Sequence, residues 1–358
     1  MFGKIRMKRK KVIGVTFYAL LLALGAGICG CGKTNNEAIA EGMEQIAGMD
    51  YQGALTAFDT AEQKGEDLRL IARGRGIANM GLTDYEEAIS CFLESLALSN
   101  GVVENMDYDI NYYLAAAYQK CGDYMQAEEV YDAILALRPQ ETDAWYLRGH
   151  ARLKQGNYQE AKADFDKIVE LEPDNYKRLI QIYEVLSQEG YKSMGVEYLE
   201  AALDKKSSKM TALDEGRIQY YLGNYEQAQI CLEKAKETGD AEAYLYLGMA
   251  YEATGDYNYA ITNVYSSYLS KNNDNAEIYN QLGLCYMKQE EYALALEAFQ
   301  SAMKIENSGI IQTLQFNEIL TYEYLGEYTQ AAVLLDNYLK TYPDDTDAKR
   351  EYDFLSTR

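Results

Sequence analysis

Histidine is almost missing from this chain: His150 is the only one among 358 residues. That count excludes a metal site built on a histidine cluster. It also leaves every serine except a neighbour of His150 without a catalytic base, and no Gly-x-Ser-x-Gly turn appears. Basic residues are scarce too, 34 against 56 acidic ones, for a net charge of −22 at pH 7. A surface so acidic, with no basic stripe, excludes nucleic-acid binding. The many carboxylates read as a solvated face that keeps a long protein soluble, so the chain is expected to be no enzyme and to need no cofactor or metal. Proline is limited to Pro139, Pro173 and Pro343, each at a point where a helical pattern stops.

What the chain has in quantity is tyrosine, and it is periodic. Tyr51, Tyr85, Tyr124, Tyr158, Tyr191, Tyr225, Tyr257, Tyr292 and Tyr328 are separated by 34, 39, 34, 33, 34, 32, 35 and 36 residues. Three residues after each tyrosine stands an alanine, with Met194 the exception. Nine residues before it stands Gly42, Gly76, Ala115, Gly149, Ile182, Gly216, Gly248, Gly283 or Ile319. Glycine inside a helix costs about 1 kcal/mol against alanine, so the column predicts close approach of a neighbouring helix. Gly122, Gly156, Gly223, Gly255 and Gly326, two residues before the tyrosine, predict the turn between two helices. The Asp, Asn or Glu that often follows suits the N-cap of the second helix. Beyond the tyrosine, stripes such as Tyr158, Ala161, Phe165 and Ile168 recur at helical spacing. Each period is thus a helix–turn–helix whose apolar face only its neighbours bury.

In these columns the chain resembles the tetratricopeptide repeat family. The best single copy is Trp145, Arg148, Gly149, Gly156, Tyr158, Ala161, Phe165 and Pro173, followed by Tyr244, Leu247, Gly248, Tyr251, Gly255, Tyr257 and Ala260. The resemblance covers about nine repeats, roughly residues 35 to 343, and departs most in the fifth copy (Ile182, Met194) and the ninth (Ile319). It implies an all-α fold, a right-handed superhelical α-solenoid over residues 37–343. Residues 344–358 are expected to close it with a capping helix that places Ala348, Tyr352 and Leu355 on one face. An insertion between Ser99 and Met106 accounts for the 39-residue period and predicts a longer loop.

The first 30 residues have another character. Lys4, Arg6, Lys8, Arg9, Lys10 and Lys11 precede an apolar run from Val12 to Gly30, as in a secretion signal. The run ends Ile28-Cys29-Gly30-Cys31, which resembles a bacterial lipobox. Residues 1–30 are therefore expected to be a lipoprotein signal peptide, and residues 31–36 a lipidated Cys31 with a short tether. The alternative is an uncleaved transmembrane anchor, since 19 apolar residues just suffice to span. Either way the repeats lie on the outer face of the cytoplasmic membrane. Loss of the six basic residues takes the mature chain to −28. Gly27-Ile28-Cys29-Gly30-Cys31-Gly32-Lys33-Thr34 also matches a phosphate-binding loop letter for letter. No strand, following helix or parallel sheet surrounds it, so no nucleotide is expected. Of the cysteines beyond Cys31, the even set Cys91, Cys121, Cys231 and Cys285 admits disulfides in an exported chain. Their wide separation on packing faces favours buried thiols.

The family resemblance implies that the first helix of each repeat lines a concave groove. Carried over repeat by repeat, it places Arg73, Tyr112, Tyr146, His150, Tyr183 and Arg217 there, and Tyr220 and Tyr221 a turn further on. Several of these tyrosines are not required by the period. Aromatic and arginine side chains are favoured anchors for a partner. The expected function is a membrane-anchored interaction scaffold that holds a protein or peptide segment of the cell envelope. The alternative is capture of a glycan or small molecule on the same aromatic surface. The consecutive Lys, Arg and Asn of the family's carboxylate clamp are not reproduced.

Overall fold

The computed structural model describes residues 36–356, and every regular element among them is helical. The signal sequence, Cys31 and the Gly27–Thr34 motif lie outside the described residues. The described chain divides into two compact bodies, residues 36–210 and 211–356.

The first body is built from the pairs α1 (Glu37–Ala47) with α2 (Tyr51–Gln63), α3 (Leu68–Gly81) with α4 (Tyr85–Ala97), and α5 (Asn105–Lys120) with α6 (Tyr124–Leu137). After these come α7 (Thr142–Lys154) with α8 (Tyr158–Leu171) and α9 (Tyr176–Gln188) with α10 (Lys192–Lys205). The second body starts with α11 (Ala212–Leu222) and α12 (Tyr225–Lys236). Its next pair is α13 (Ala241–Thr254) with a composite helix: α14 (Tyr257–Tyr259), a π-helix (Ala260–Tyr265) and α15 (Ser266–Leu269). The pairs α16 (Ala276–Lys288) with α17 (Tyr292–Met303) and α18 (Ile311–Tyr324) with α19 (Tyr328–Thr341) follow, then the cap α20 (Thr346–Leu355). Within each body consecutive helices pack on one another, forming an α-solenoid.

The glycine column has the packing reason its cost demands. A large side chain seven residues after the tyrosine fills the space that the missing Cβ leaves. Phe58, Phe92, Phe165 and Phe299 are fully buried. A Cβ on Gly42, Gly76, Gly149 or Gly283 would stand 2.7, 2.4, 2.7 or 2.5 Å from the respective ring. Burying such a ring contributes about 1.5–3 kcal/mol, more than glycine's helix penalty. The turn glycines also sit as expected, with Gly122, Gly156, Gly223, Gly255 and Gly326 all near φ +80 to +90°. At the N-caps the acid type matters. Asp50, Asp84, Asp123 and Asp256 each accept a backbone N–H from the first turn, whereas Glu291 and Glu327 make no side-chain cap bond.

Two repeats depart from the sequence register. In the fifth, the second helix begins at Lys192 and Tyr191 is its N-cap. The αL glycine, Gly190 at φ +89°, accordingly stands two residues before Lys192. The columns move by one, so Tyr183 and Gly195, not Ile182 and Met194, occupy the paired positions. In the seventh, the π-helix inserts a residue, and Tyr265, eight residues after Tyr257, fills the place of the usual seventh. A Cβ on Gly248 would stand 2.1 Å from the Tyr265 Cζ. The buried Tyr265 hydroxyl donates to Glu252 Oε1 at 2.6 Å, satisfying the polar atom that a phenylalanine would lack.

The cap helix forms over the expected residues, and Ala348 and Leu355 are buried. Tyr352 does not join them; it is 47% exposed. Asp345 caps the helix through the N–H groups of Asp347 and Ala348 and accepts the Tyr338 hydroxyl at 2.6 Å. The four cysteines of the described residues carry thiols, three of them buried, while Cys121 is exposed at the C-cap of α5.

Candidate functional site

In the first body, Tyr112 on α5 and Tyr146 on α7 lie one repeat apart, each half-buried and tilted on the large ring of its own second helix. The ring centroids are 6.3 Å apart for Tyr112–Tyr131 and 6.2 Å for Tyr146–Phe165. The Tyr112 hydroxyl is buried with no hydrogen-bond partner. Burial raises its pKa, and the carboxylates of Glu141 and Asp143 raise it further. Tyr146 donates to the Gln181 carbonyl at 3.4 Å, and burial pushes its hydroxyl up to about 12. Arg178, 5.0 Å from the Tyr146 ring centroid, is bound to Asp143. His150 lies nearby on α7, its Nε2 3.9 Å from Glu189 Oε1, an oxygen that also holds Lys154 Nζ at 2.6 Å. Burial pulls the imidazole down to about 4, against the pull of Glu189 and with that of Lys154. It is therefore a neutral side chain at physiological pH.

Tyr183 is not part of an open face. It is only 7% exposed, and a Cβ on Gly195 would stand 3.0 Å from its Cα. The one-residue shift of the fifth repeat places it in the core position that glycine holds in most other repeats, opposite Gly195 where they have alanine. Arg217, in the second body, is likewise buried at 6%. Its Nη1 reaches Glu242 at 3.1 Å, and its guanidinium carbon lies 5.2 Å from the Tyr246 ring centroid. Tyr220 and Tyr221 are half-buried and meet that same ring. Their centroids are 5.7 and 6.0 Å from Tyr246, and the Tyr221 and Tyr246 hydroxyls are 3.1 Å apart. Burial raises the Tyr220 hydroxyl above its usual range, helped by Tyr225 and Glu252.

Sequence reading missed Tyr246, Arg178 and a column of acids. Asp109, Asp143, Glu242 and Glu277 each stand fifteen residues before a periodic tyrosine. The first three are the partners of Arg73, Arg178 and Arg217; Arg73 Nε reaches Asp109 at 2.6 Å. The signal was periodic and visible. What it lacked in one dimension was the identity of the opposing cation, which comes from a neighbouring repeat. The consequence is chemical: these arginines are neutralised by carboxylates of the protein itself.

Among the described residues no group of three His, Cys, Asp or Glu side chains is arranged to hold a metal ion. No described helix is long and apolar enough to cross a membrane.

Family models described as tetratricopeptide repeat match residues 114–180, 213–275, 276–308 and 315–345. No curated protein matches the chain at a significant level. Among solved structures, the chain is similar to a thermophilic tetratricopeptide repeat protein of Thermus thermophilus, at 19% identity over 51% of this chain and 100% of that one, with a TM-score of 0.42. It is also similar to a tetratricopeptide repeat protein of Parabacteroides merdae, at 19% identity over 79% and 98%, with a TM-score of 0.43. A third similarity is to MamA, at 19% identity over 46% and 94%, with a TM-score of 0.37. With its helix pairs, its glycine-under-ring packing and the four family-model matches between residues 114 and 345, the chain belongs to the tetratricopeptide repeat family.

Proposed function

We propose that this protein is a lipid-anchored interaction scaffold on the outer face of the cytoplasmic membrane. Tethered through Cys31, it takes a segment of another envelope protein onto the tyrosine surfaces of its inner helices. The observation that carries this reading is the internal pairing of the arginines beside half-buried tyrosines that the repeat does not need: Arg178 with Asp143 beside Tyr146, and Arg217 with Glu242 beside Tyr246. Such a face recognises apolar and aromatic side chains and backbone hydrogen-bonding groups, because tyrosine supplies large contact area at low entropy cost. It gives an acidic tail no unpaired arginine to bind. Tyr112 and Tyr146 in the first body, and Tyr220 and Tyr221 in the second, are the contact residues. His150 adds a neutral polar edge.

The test is crosslinking of the full lipidated protein in its own envelope, comparing the natural chain with a Tyr146→Ala/Tyr220→Ala variant. A protein captured by the first and lost from the second supports the reading. Equal capture by both, or capture of none, overturns it. Specific thermal stabilisation by peptidoglycan fragments, with no protein captured, would move the surface to glycan binding.

A further inference from the structure

The insertion that lengthens the second period has no place in the interaction reading above, and it is chemically unusual for this chain. From Ser95 to Val103 there is no charged residue, in a protein with 56 acids. The loop that closes this stretch is ordered by Gly101 at φ +82° and by the Val102 N–H donating to Asn100 Oδ1 at 2.8 Å. It turns Val102 and Val103 outward, 64% and 56% exposed, with Leu137 at 60%. Behind them is a largely apolar hollow of about 260 Å³, lined by these three with Leu96, Tyr108 and Ile134. Elsewhere in this body exposed apolar side chains stand one to a turn, as Met49, Leu82 and Met125 do. Here three are gathered.

The loop shares an edge of the first body with the point where the chain leaves toward Cys31. Helices α1, α3 and α5 begin side by side, as a chain of contacts records. Glu66, just before α3, accepts the N–H groups of Ala38 and Ile39 at the start of α1, at 3.1 and 3.0 Å. Arg69, at the start of α3, pairs with Glu104 at 3.3 Å and with Asp107, both at the start of α5. Asp107 in turn borders the hollow. Glu37 follows Cys31 by six positions, so a lipid on Cys31 holds the start of α1 within about 20 Å of the bilayer. Two acids stand beside the valines, Glu104 and Asp107, and Arg69 pairs with both.

We propose that the Val102, Val103 and Leu137 patch docks on the lipid surface, a second contact that fixes the orientation of the first body against the membrane. A diacylglyceryl anchor on Cys31 holds the chain at the bilayer, and an apolar contact of the folded body adds to it and fixes the orientation. The inference rests on the Cys31 anchor proposed above.

The experiment uses the full lipidated chain with Cys121→Ser, bound to vesicles of phosphatidylcholine and phosphatidylglycerol. An environment-sensitive fluorophore is placed at Val103→Cys or, on the opposite edge, at Met125→Cys. The expected result is co-flotation of both, a several-fold rise and blue shift in emission at position 103 only, and its loss in a Val102→Asp background that still floats. Flotation with an unchanged signal at 103 overturns the docking and leaves the anchor standing. Failure to float overturns both. A blue shift without vesicles that grows with protein concentration assigns the patch to a second copy and overturns the lipid assignment.

Discussion

Tyr183 lies against Gly195, so close that a Cβ on the glycine would stand 3.0 Å from the tyrosine Cα and 3.1 Å from its ring. In most other repeats glycine holds the Tyr183 position on the first helix and alanine the Gly195 position on the second. Here tyrosine replaces the glycine, and the alanine shrinks to glycine beneath it. The pair makes Tyr183 a core residue and gives the fifth repeat a sharp test. Gly195→Ala is expected to cost about 1–3 kcal/mol by overpacking, and Tyr183→Ala about 3–5 kcal/mol by leaving a cavity. Tyr146→Ala should cost less, because its ring is partly exposed. Urea unfolding of the three variants checks the order, and a Tyr183→Ala as mild as Tyr146→Ala would return Tyr183 to the open face.

Thr83 holds the turn position that glycine holds in five other repeats, at φ +62° and exposed. A β-branched residue is strained in that region by about 1–2 kcal/mol. Thr83→Gly should therefore stabilise the protein by about 1 kcal/mol, part of the gain being lost to glycine's greater freedom when unfolded. A lower melting temperature for this variant would contradict the strain.

His150 should make stability fall in acid. Its pKa is about 4 when folded against 6.5 ordinarily, because burial disfavours the imidazolium. The unfolded chain then binds the proton more readily, so the stabilisation is complete above pH 6.5 and is lost as pH falls toward 4. His150→Gln should flatten the melting-temperature profile between those values and change it little above pH 7.

Glu323 works in the opposite direction. Burial first, and the neighbouring carboxylate of Glu351 on the cap helix second, push it up from 4.5 to about 7. Its contribution is present below pH 4.5 and lost as pH rises through 7. Glu323→Gln should raise the melting temperature at pH 8 and leave it unchanged at pH 4. Hydrogen exchange in α20 should slow at pH 8 in the same variant.

Gly248→Ala should be among the most damaging of the alanine replacements, since its Cβ would meet the Tyr265 ring at 2.1 Å and that ring is held by Glu252. Tyr265→Phe frees the ring from Glu252 and should recover part of the loss, which a double-mutant cycle measures.

The repeat was legible because its causes are local. A glycine two residues before the tyrosine, an aspartate N-cap and a seventh-residue ring act within one helix pair, so Gly122, Asp123, Tyr124 and their counterparts announce themselves by spacing alone. The fifth repeat was misread for the same reason, and the seventh holds a departure that its columns do not show. Tyr191 repeats on schedule although the helix starts at Lys192, and nothing in the letters around Ala260 marks the π-turn that brings Tyr265 under Gly248.

By itself, the sequence determined the all-α repeat, its helix boundaries and the buried ring of most pairs, since each depends on residues within about forty positions and on a period that neighbours must share. Only the tertiary structure decided which side chains face outward. Tyr183 and Arg217 fell inside because of a one-residue shift and of a glutamate from the next repeat. The apolar edge at Val102 and Val103 came together because α1, α3 and α5 start side by side. Exposure depends on what an adjacent repeat places opposite a residue, and that is set by packing across the repeats.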